Sequence, residues 1–416
     1  MILYNLALLL AMPLIIPFLL WRVVSSKETA ASLRQKFGAY LFENPPTGGI
    51  WIHAVSVGET NAAVPLVELL AKSQKHPVIF SVSTQTGMKV AQTRLAGKAF
   101  CVYFPFDFPF AVARALVLFA PAAVVFMETE IWPNFMRQAR RRGVKTVLIN
   151  GRISDRSFGN YHRMKRFLGP VLRDFDLLLM QSAADAGRIT ALGASPAAVS
   201  VGGNIKFDRP LPNVSEKQTI AAEFGLPQNI PAVVFASTHP GEDAVFCRAT
   251  KELIAEGISF FPVIVPRHVE RAQKVAALCR EAGFAARLRT EKGTGGGLLI
   301  LDTIGELARL YGGAAIAVMG GSFVPHGGQN PLEPAGWEVP VIFGPHMENF
   351  REISSLFLNA GAAATAADAE ALKDALRRWL ENPAAARETG ARGRELLIQN
   401  SGALQKTAAA IDSLLQ

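Results

Sequence analysis

The chain has 416 residues, half of them apolar, and a formal net charge of +9. That length exceeds what one hydrophobic core ordinarily organises, so two domains are expected, and the basic balance suits an anionic partner: an acidic lipid surface, a phosphorylated substrate or nucleic acid. Cys101, Cys247 and Cys279 are odd in number and widely spaced, which excludes a disulfide framework or a metal cluster and suits a reducing compartment; no basic run interleaved with aromatics supports nucleic acid.

The first predicted element is an apolar helix. MILYNLALLLAMPLIIPFLLW carries no charged side chain from Met1 to Trp21, and about 20 apolar residues suffice to cross a bilayer. A cleaved signal peptide would open on a positive residue and close on a small-residue cleavage site. This segment lacks the first, and its apolar run is longer than a signal core. Arg22, Lys27, Arg34 and Lys36 follow directly, and basic residues beside a span stay on the cytoplasmic side. A single N-terminal anchor, residues 1–22, is expected, with the bulk of the chain in the cytoplasm. A spanning helix is the leading reading; Pro13 and Pro17 favour the competing one, a kinked helix in the membrane surface.

Past a polar connector (23–48), short apolar or β-branched runs alternate with helical patterns. The first series is IWIHAVSV (50–57), PVIFSVST (77–84), CVYFPFD (101–107), AAVVFMETE (122–130), KTVLIN (145–150) and DLLLMQS (176–182). The second is AVVFAST (232–238), FFPVIVPRH (260–268), LLILDT (298–303), AIAVMGGSF (315–323) and VPVIFGPH (339–346). Continuous apolar runs alternating with helices indicate parallel sheets buried on both faces. The proline-punctuated RPLPNVSEKQ (209–218) is the candidate hinge. The expected fold is α/β, with Rossmann-like domains at 49–208 and 209–416 facing each other across a cleft.

Ligands of such sheets bind beyond the carboxyl ends of the strands. That rule selects Ser56, Gly58 and Glu59; Glu128 and Glu130; Arg152; Ser237 and His239; Pro266 and Arg267; and Gly321 and Ser322. Any one of these could be an ordinary cap or turn former; their recurrence at strand ends is the signal. The stretch GGSFVPHGGQNPLEP (320–334) is dense in glycine before a helix start, with Asn330 as N-cap, Pro331 at the first helical position and Glu333 in the first turn. Free backbone donors and the helix dipole there suit a phosphate. Glu333 would be repelled by that phosphate, but a few ångströms away it could accept from ribose hydroxyls. Asp174-Phe175-Asp176 reads as a strand-entry turn rather than a metal pair. His239, His268, His326 and His346 have no metal spacing. The basic stretch 151–167, with Arg152, Arg156, Arg163, Lys165 and Arg166, is either a solvated helix face or a surface for lipid phosphates.

WIHAVSVGET, METEIWPNF, INGRISDRSFGNY, GNIKFD, ASTHPGED, VPRHVERA and GGSFVPHGGQNPLEPAGWEVPVIFGPHMENF, in this order, resemble the 3-deoxy-D-manno-octulosonic acid (Kdo) transferases of lipopolysaccharide synthesis. The resemblance runs from the N-terminal helix to about residue 355 and implies the GT-B fold. It also implies transfer of Kdo from CMP-Kdo to the lipid A precursor (lipid IVA) at the cytoplasmic face of the inner membrane, with inversion, no cofactor and no metal in the chemical step. It places the catalytic base on Glu59 and the CMP contacts on Pro266 and Arg267, on the turn Gly305, Glu306, Leu307, and on Asn330, Pro331, Leu332 and Glu333. Glu128 and Glu130 are rival carboxylates in supporting roles, and Lys206 is a candidate to neutralise the sugar carboxylate or the leaving phosphate. A GT-B enzyme using another sugar nucleotide, or a non-catalytic nucleotide-sugar binding protein, is the alternative; the intact SVGET disfavours the second.

Overall fold

The computed structural model describes residues 1–25, 29–291 and 296–416; Lys27 lies outside them. The chain divides into two compact units, Met1–Asp208 with Asn400–Gln416, and Arg209–Gln399.

The first unit is built on a seven-stranded sheet, every pair parallel. Its strands are β1 (Ile50–Ala54), β2 (Val78–Val82), β3 (Phe100–Tyr103), β4 (Ala123–Met127), β5 (Lys145–Gly151), β6 (Leu177–Met180) and β7 (Val199–Val201), in the order β3-β2-β1-β4-β5-β6-β7. β1, β2 and β4 are buried along their whole length, as a sheet covered on both faces by helices requires. Trp51 and Phe126 face one apolar layer, Ile52 and Val125 the other. Order reverses between β1 and β4, which is the topological switch point of a doubly wound sheet.

The second unit repeats the plan with β8 (Ala232–Thr238), β9 (Phe261–Pro266), β10 (Ala286–Leu288), β11 (Leu298–Ile300), β12 (Ile316–Met319), β13 (Val341–Phe343) and β14 (Ala363–Thr365). Their order is β10-β11-β9-β8-β12-β13-β14, so the switch point lies between β8 and β12.

One expectation is corrected. The second unit does not run to residue 416: the helix Ala403–Leu414 returns to the first. Ile411 and Ala403 are buried in that unit's core beside Val64 and Val67, and Asp208 accepts from the backbone N–H of Leu404 at 2.7 Å and from that of Gly402. Cys247 and Cys279, remote in sequence, are neighbours in space, their sulfurs 3.3 Å apart and both thiols free.

Before the first sheet come α1 (Ile2–Val24) and α2 (Ala30–Lys36). The connector is therefore partly helical, started by Thr29, whose side chain accepts from Ser32 N–H. Among the described residues α1 is the one helix long and apolar enough to cross a membrane, with mean hydropathy 2.2 over Ile2–Leu19.

Candidate functional site

In the first unit the polar groups gather at the carboxyl ends of β1 and β4, beside the switch point. Ser56 caps α3 (Val57–Ser73), accepting from Glu59 N–H at 3.2 Å. Glu59, at the third helical position, returns the contact: Oε1 accepts from Ser56 Oγ at 2.9 Å and Oε2 from Val55 N–H at 2.8 Å. The arrangement is like a capping box, except that the carboxylate takes the N–H of Val55, one residue before the cap. It holds Glu59 in one rotamer while each oxygen keeps a lone pair. Burial raises its pKa, the Val55 and Ser56 donors lower it, and nearby Glu128 raises it; the net direction is up. Gly58 lies in the same first turn, where a Cβ would meet Ser56 Oγ at 3.7 Å.

The two carboxylates after β4 have different surroundings. Glu128 is ion-paired, accepting from Lys206 Nζ at 3.0 Å, in a backbone with φ +56°. Glu130 is held at about 7, first by burial and then by the Glu59 carboxylate beside it. The structure thus brings Glu59, Glu128, Glu130 and Lys206 together. Arg152 is half-buried and its carbonyl accepts from Thr129 Oγ1. Asp174 pairs with Arg140, and Asp176 accepts from Thr146 N–H, which accounts for both without an ion.

In the second unit the organising residue is one the sequence reading passed over. Glu242 is fully buried and accepts from the backbone N–H groups of His239 at 2.8 Å, Gly321 at 2.7 Å and Phe323 at 3.0 Å. It therefore ties the loop after β8 to the loop after β12 across the switch point. Its signal was its position at the start of a helix directly after a strand-end turn, read there as only one letter of a longer motif. Gly320 is required where the loops touch: a Cβ would stand 2.4 Å from Ser237 O. Ser322 is buried, its hydroxyl donating to Met319 O and accepting from Gly344 N–H, so it braces the loop. Ser237 holds φ +54° at the end of β8.

Around these loops the charge is positive. The His239 ring stacks on His326 with centroids 4.3 Å apart and stands 6.2 Å from His268. Burial, those two rings, Arg267 and Arg271 push its pKa down to about 4. Arg267 is exposed just past Pro266, its N–H bonded to Thr238 O at 3.0 Å. Two of the histidines set aside as turn formers are therefore partners of a selected one.

The remaining residues expected to contact CMP fall in two turns. Gly305 (φ +91°) precedes Glu306, which accepts from Thr303 Oγ1 and lies 3.5 Å from Arg289 Nη2; Leu307 opens the short helix that follows. Glu333 Oε1 accepts from Arg209 Nη2 at 3.0 Å. The helix expected at Asn330 starts at Leu332, with Pro331 as its cap, and ends at Gly336. Asn330 Oδ1 still accepts from Leu332 N–H at 3.1 Å. Pro334 and Gly336 keep this helix to one turn, too short to contribute much dipole, so the charge here comes from side chains.

The profile of the family described as 3-deoxy-D-manno-octulosonic-acid transferase (kdotransferase) matches residues 31–209. A relative from Haemophilus influenzae, a 3-deoxy-D-manno-octulosonic acid transferase, is 34% identical over 97% of this chain and 96% of its own. The Bordetella pertussis protein of the same name is 34% identical over 89% of this chain and 88% of its own. Among solved structures, a glycosyltransferase from Rickettsia africae matches with TM-score 0.58 at 15% identity, covering 90% of this chain and 99% of that one. MurG from Acinetobacter baumannii matches with TM-score 0.58 at 14% identity, over 88% and 100%. The two doubly wound sheets are thus of the GT-B class. Near-full-length identity to enzymes of one activity gives the conclusion: the chain belongs to the 3-deoxy-D-manno-octulosonic acid (Kdo) transferase family, the glycosyltransferases that transfer Kdo in lipopolysaccharide synthesis.

Proposed function

We propose that this enzyme takes Kdo from CMP-Kdo and attaches it to the lipid A precursor (lipid IVA), with inversion and without a metal in the chemical step. The observation that carries the reading is Glu59. It is a half-buried carboxylate beside the switch point of the first sheet, oriented by Ser56 and Val55, with its pKa raised by burial. A general base works best when its pKa approaches the working pH. Glu59 takes the proton of the acceptor hydroxyl as that oxygen attacks the anomeric carbon of Kdo and the bond to CMP breaks. Lys206, oriented by Glu128, supplies positive charge near the acceptor, and Glu130 holds or returns a proton beside the base.

On this reading residues 49–208 receive the acceptor and the second unit binds the donor. Arg267, with His239 and His326 behind it, faces the departing phosphate, where fixed positive charge stabilises the leaving group. Gly305–Leu307 and Asn330–Glu333 hold the nucleoside. α1 keeps the enzyme at the inner membrane with both units on the cytoplasmic side, and the basic stretch 151–167 meets the acceptor's phosphates.

The test is transfer from CMP-Kdo to purified tetraacylated lipid A precursor, followed by mass spectrometry. The wild-type product is heavier by one or more Kdo units. Glu59→Gln loses at least about a hundredfold in rate, the lower end of what a positioned base contributes, and still binds CMP. A full-rate Glu59→Gln enzyme removes Glu59 as the base.

A further inference from the structure

The start of α1 and the helix that follows α1 are tied to one side of the first unit. At its start, Tyr4 Oη donates to Asp107 Oδ2 at 2.9 Å, and Asn134 Nδ2 donates to Asn5 Oδ1 at 2.6 Å. Asp107 is buried and also accepts from the N–H groups of Asn134 and Phe135, so the foot of the helix rests on a built polar node. The Tyr4 ring lies 5.7 Å from that of Phe167. At the other end Leu19 is buried. The chain then enters α2, where Lys36 O accepts from Phe106 N–H at 2.7 Å and Gln35 Oε1 from Tyr103 N–H at 2.9 Å. One short segment, Tyr103–Asp107, thus binds the start of α1 and the helix that follows it.

A helix that crosses a bilayer delivers its ends to opposite sides of a core about 30 Å thick. Tyr4 and Gln35 cannot both reach the same loop from opposite sides. The outward face of α1 is nonetheless apolar: Leu3, Leu6, Leu10, Leu14, Phe18 and Trp21 recur every three or four residues and are exposed, Leu3 by 81% and Leu14 by 78%. Next to its foot, Arg163, Lys165 and Arg166 are exposed just before Phe167, and Arg114 covers the ring of exposed Phe110 at 5.7 Å. An apolar helical face bordered by basic side chains matches a surface of acyl chains under anionic headgroups.

We propose that α1 lies in the plane of an anionic bilayer surface, clamped to the first unit through Tyr4–Asp107 and Asn5–Asn134, and does not cross the bilayer. This rests on the reading of α1 as the element that holds the enzyme at the membrane. The full chain, with Cys101→Ala, is produced with a single new thiol, either Ile2→Cys, exposed at the start of α1 and off its apolar row, or Lys72→Cys at the exposed end of α3. Sealed membrane vesicles of both orientations are then treated with an impermeant maleimide. Both thiols are expected to react from the same side. Labelling of Ile2→Cys only from the side opposite Lys72→Cys would show a spanning helix and overturn the proposal while leaving the anchor reading intact. Recovery of the chain free of membranes would overturn both.

The headgroup chemistry is read separately with vesicles of phosphatidylglycerol mixed with phosphatidylcholine, against phosphatidylcholine alone. Binding to the anionic vesicles falls about fivefold for each charge removed in Lys165→Ala and Arg166→Ala. Equal binding to both vesicle types, or no effect of the two substitutions, would remove the anionic surface as the partner.

Discussion

Glu128, Asn150 and Ser237 all hold positive φ, at +56°, +53° and +54°, and each stands at or just beyond the carboxyl end of its strand. Such conformations cost about 1–3 kcal/mol each and persist where surrounding contacts dictate them. Lys206 holds Glu128, Ile205 N–H bonds Asn150 Oδ1 at 3.1 Å, and Ser237 lies against Gly320. The strain aims side chains that a relaxed strand end would send elsewhere. Glu130 yields a pH prediction. Its folded pKa is about 7 against an ordinary 4.5, so between those values the folded chain binds more protons than the unfolded one and loses stability as pH rises. Glu130→Gln should therefore gain Tm relative to wild type as pH climbs from about 4.5 to 7, with a level difference above that, followed by thermal melts across the range. A constant difference would show that Glu130 does not titrate there. Glu333→Ala leaves Arg209 without this partner and, on the proposed reading, removes an acceptor from the nucleoside. It should weaken CMP binding by about 1–3 kcal/mol in calorimetry. Residue types at strand ends were legible in the sequence because the sheet rule names positions. What each carboxylate does was not, since Glu128 and Glu130 differ only in what the fold brings beside them.

At the scale of elements, the interior strands and the edge strand β3 were legible and the other edges were not. The runs that became β1, β4, β8 and β9 are buried on both faces and read as unbroken apolar stretches. β7, β10 and β14 are three residues long, and each is last in its sheet with a single neighbour. Half-covered strands need no continuous apolar run, so VSV, ARL and AAT carried no signal. Glu242 was missed for a related reason: its three acceptor contacts join loops almost eighty positions apart (Glu242 to Gly321 and Phe323). Glu242→Ala strands three buried donors at one point. It should destabilise the second unit by about 2–4 kcal/mol, at the upper end of what unsatisfied buried groups cost, and weaken CMP binding when both are measured on the same preparation. An unchanged melt would mean the two loops hold together without it.

For the whole molecule, two successive sheets were legible from the two series of apolar runs, while the return of the C-terminal helix was not, because an amphipathic helix fits either core equally well. Ile411 is fully buried, Lys75 Nζ reaches Asp412 at 2.7 Å, and α3 lies under this helix with Glu59 in its first turn. Truncation after Gln399 should lower the melting temperature of the first unit selectively and increase proteolysis within α3, mapped by mass spectrometry of the fragments. Equal loss in both units would show that the helix acts on the molecule generally.

The same return of the chain sets an order of events during synthesis. As the polypeptide leaves the ribosome, residues 209–399 are complete and free to fold while the first unit, made earlier, still lacks the helix that closes its core. Its core beside α3 must wait through the production of an entire second unit before residues 400–416 emerge. The unit begun first is thus completed after the other has been made, and the helix start bearing Glu59 gains its full support only then.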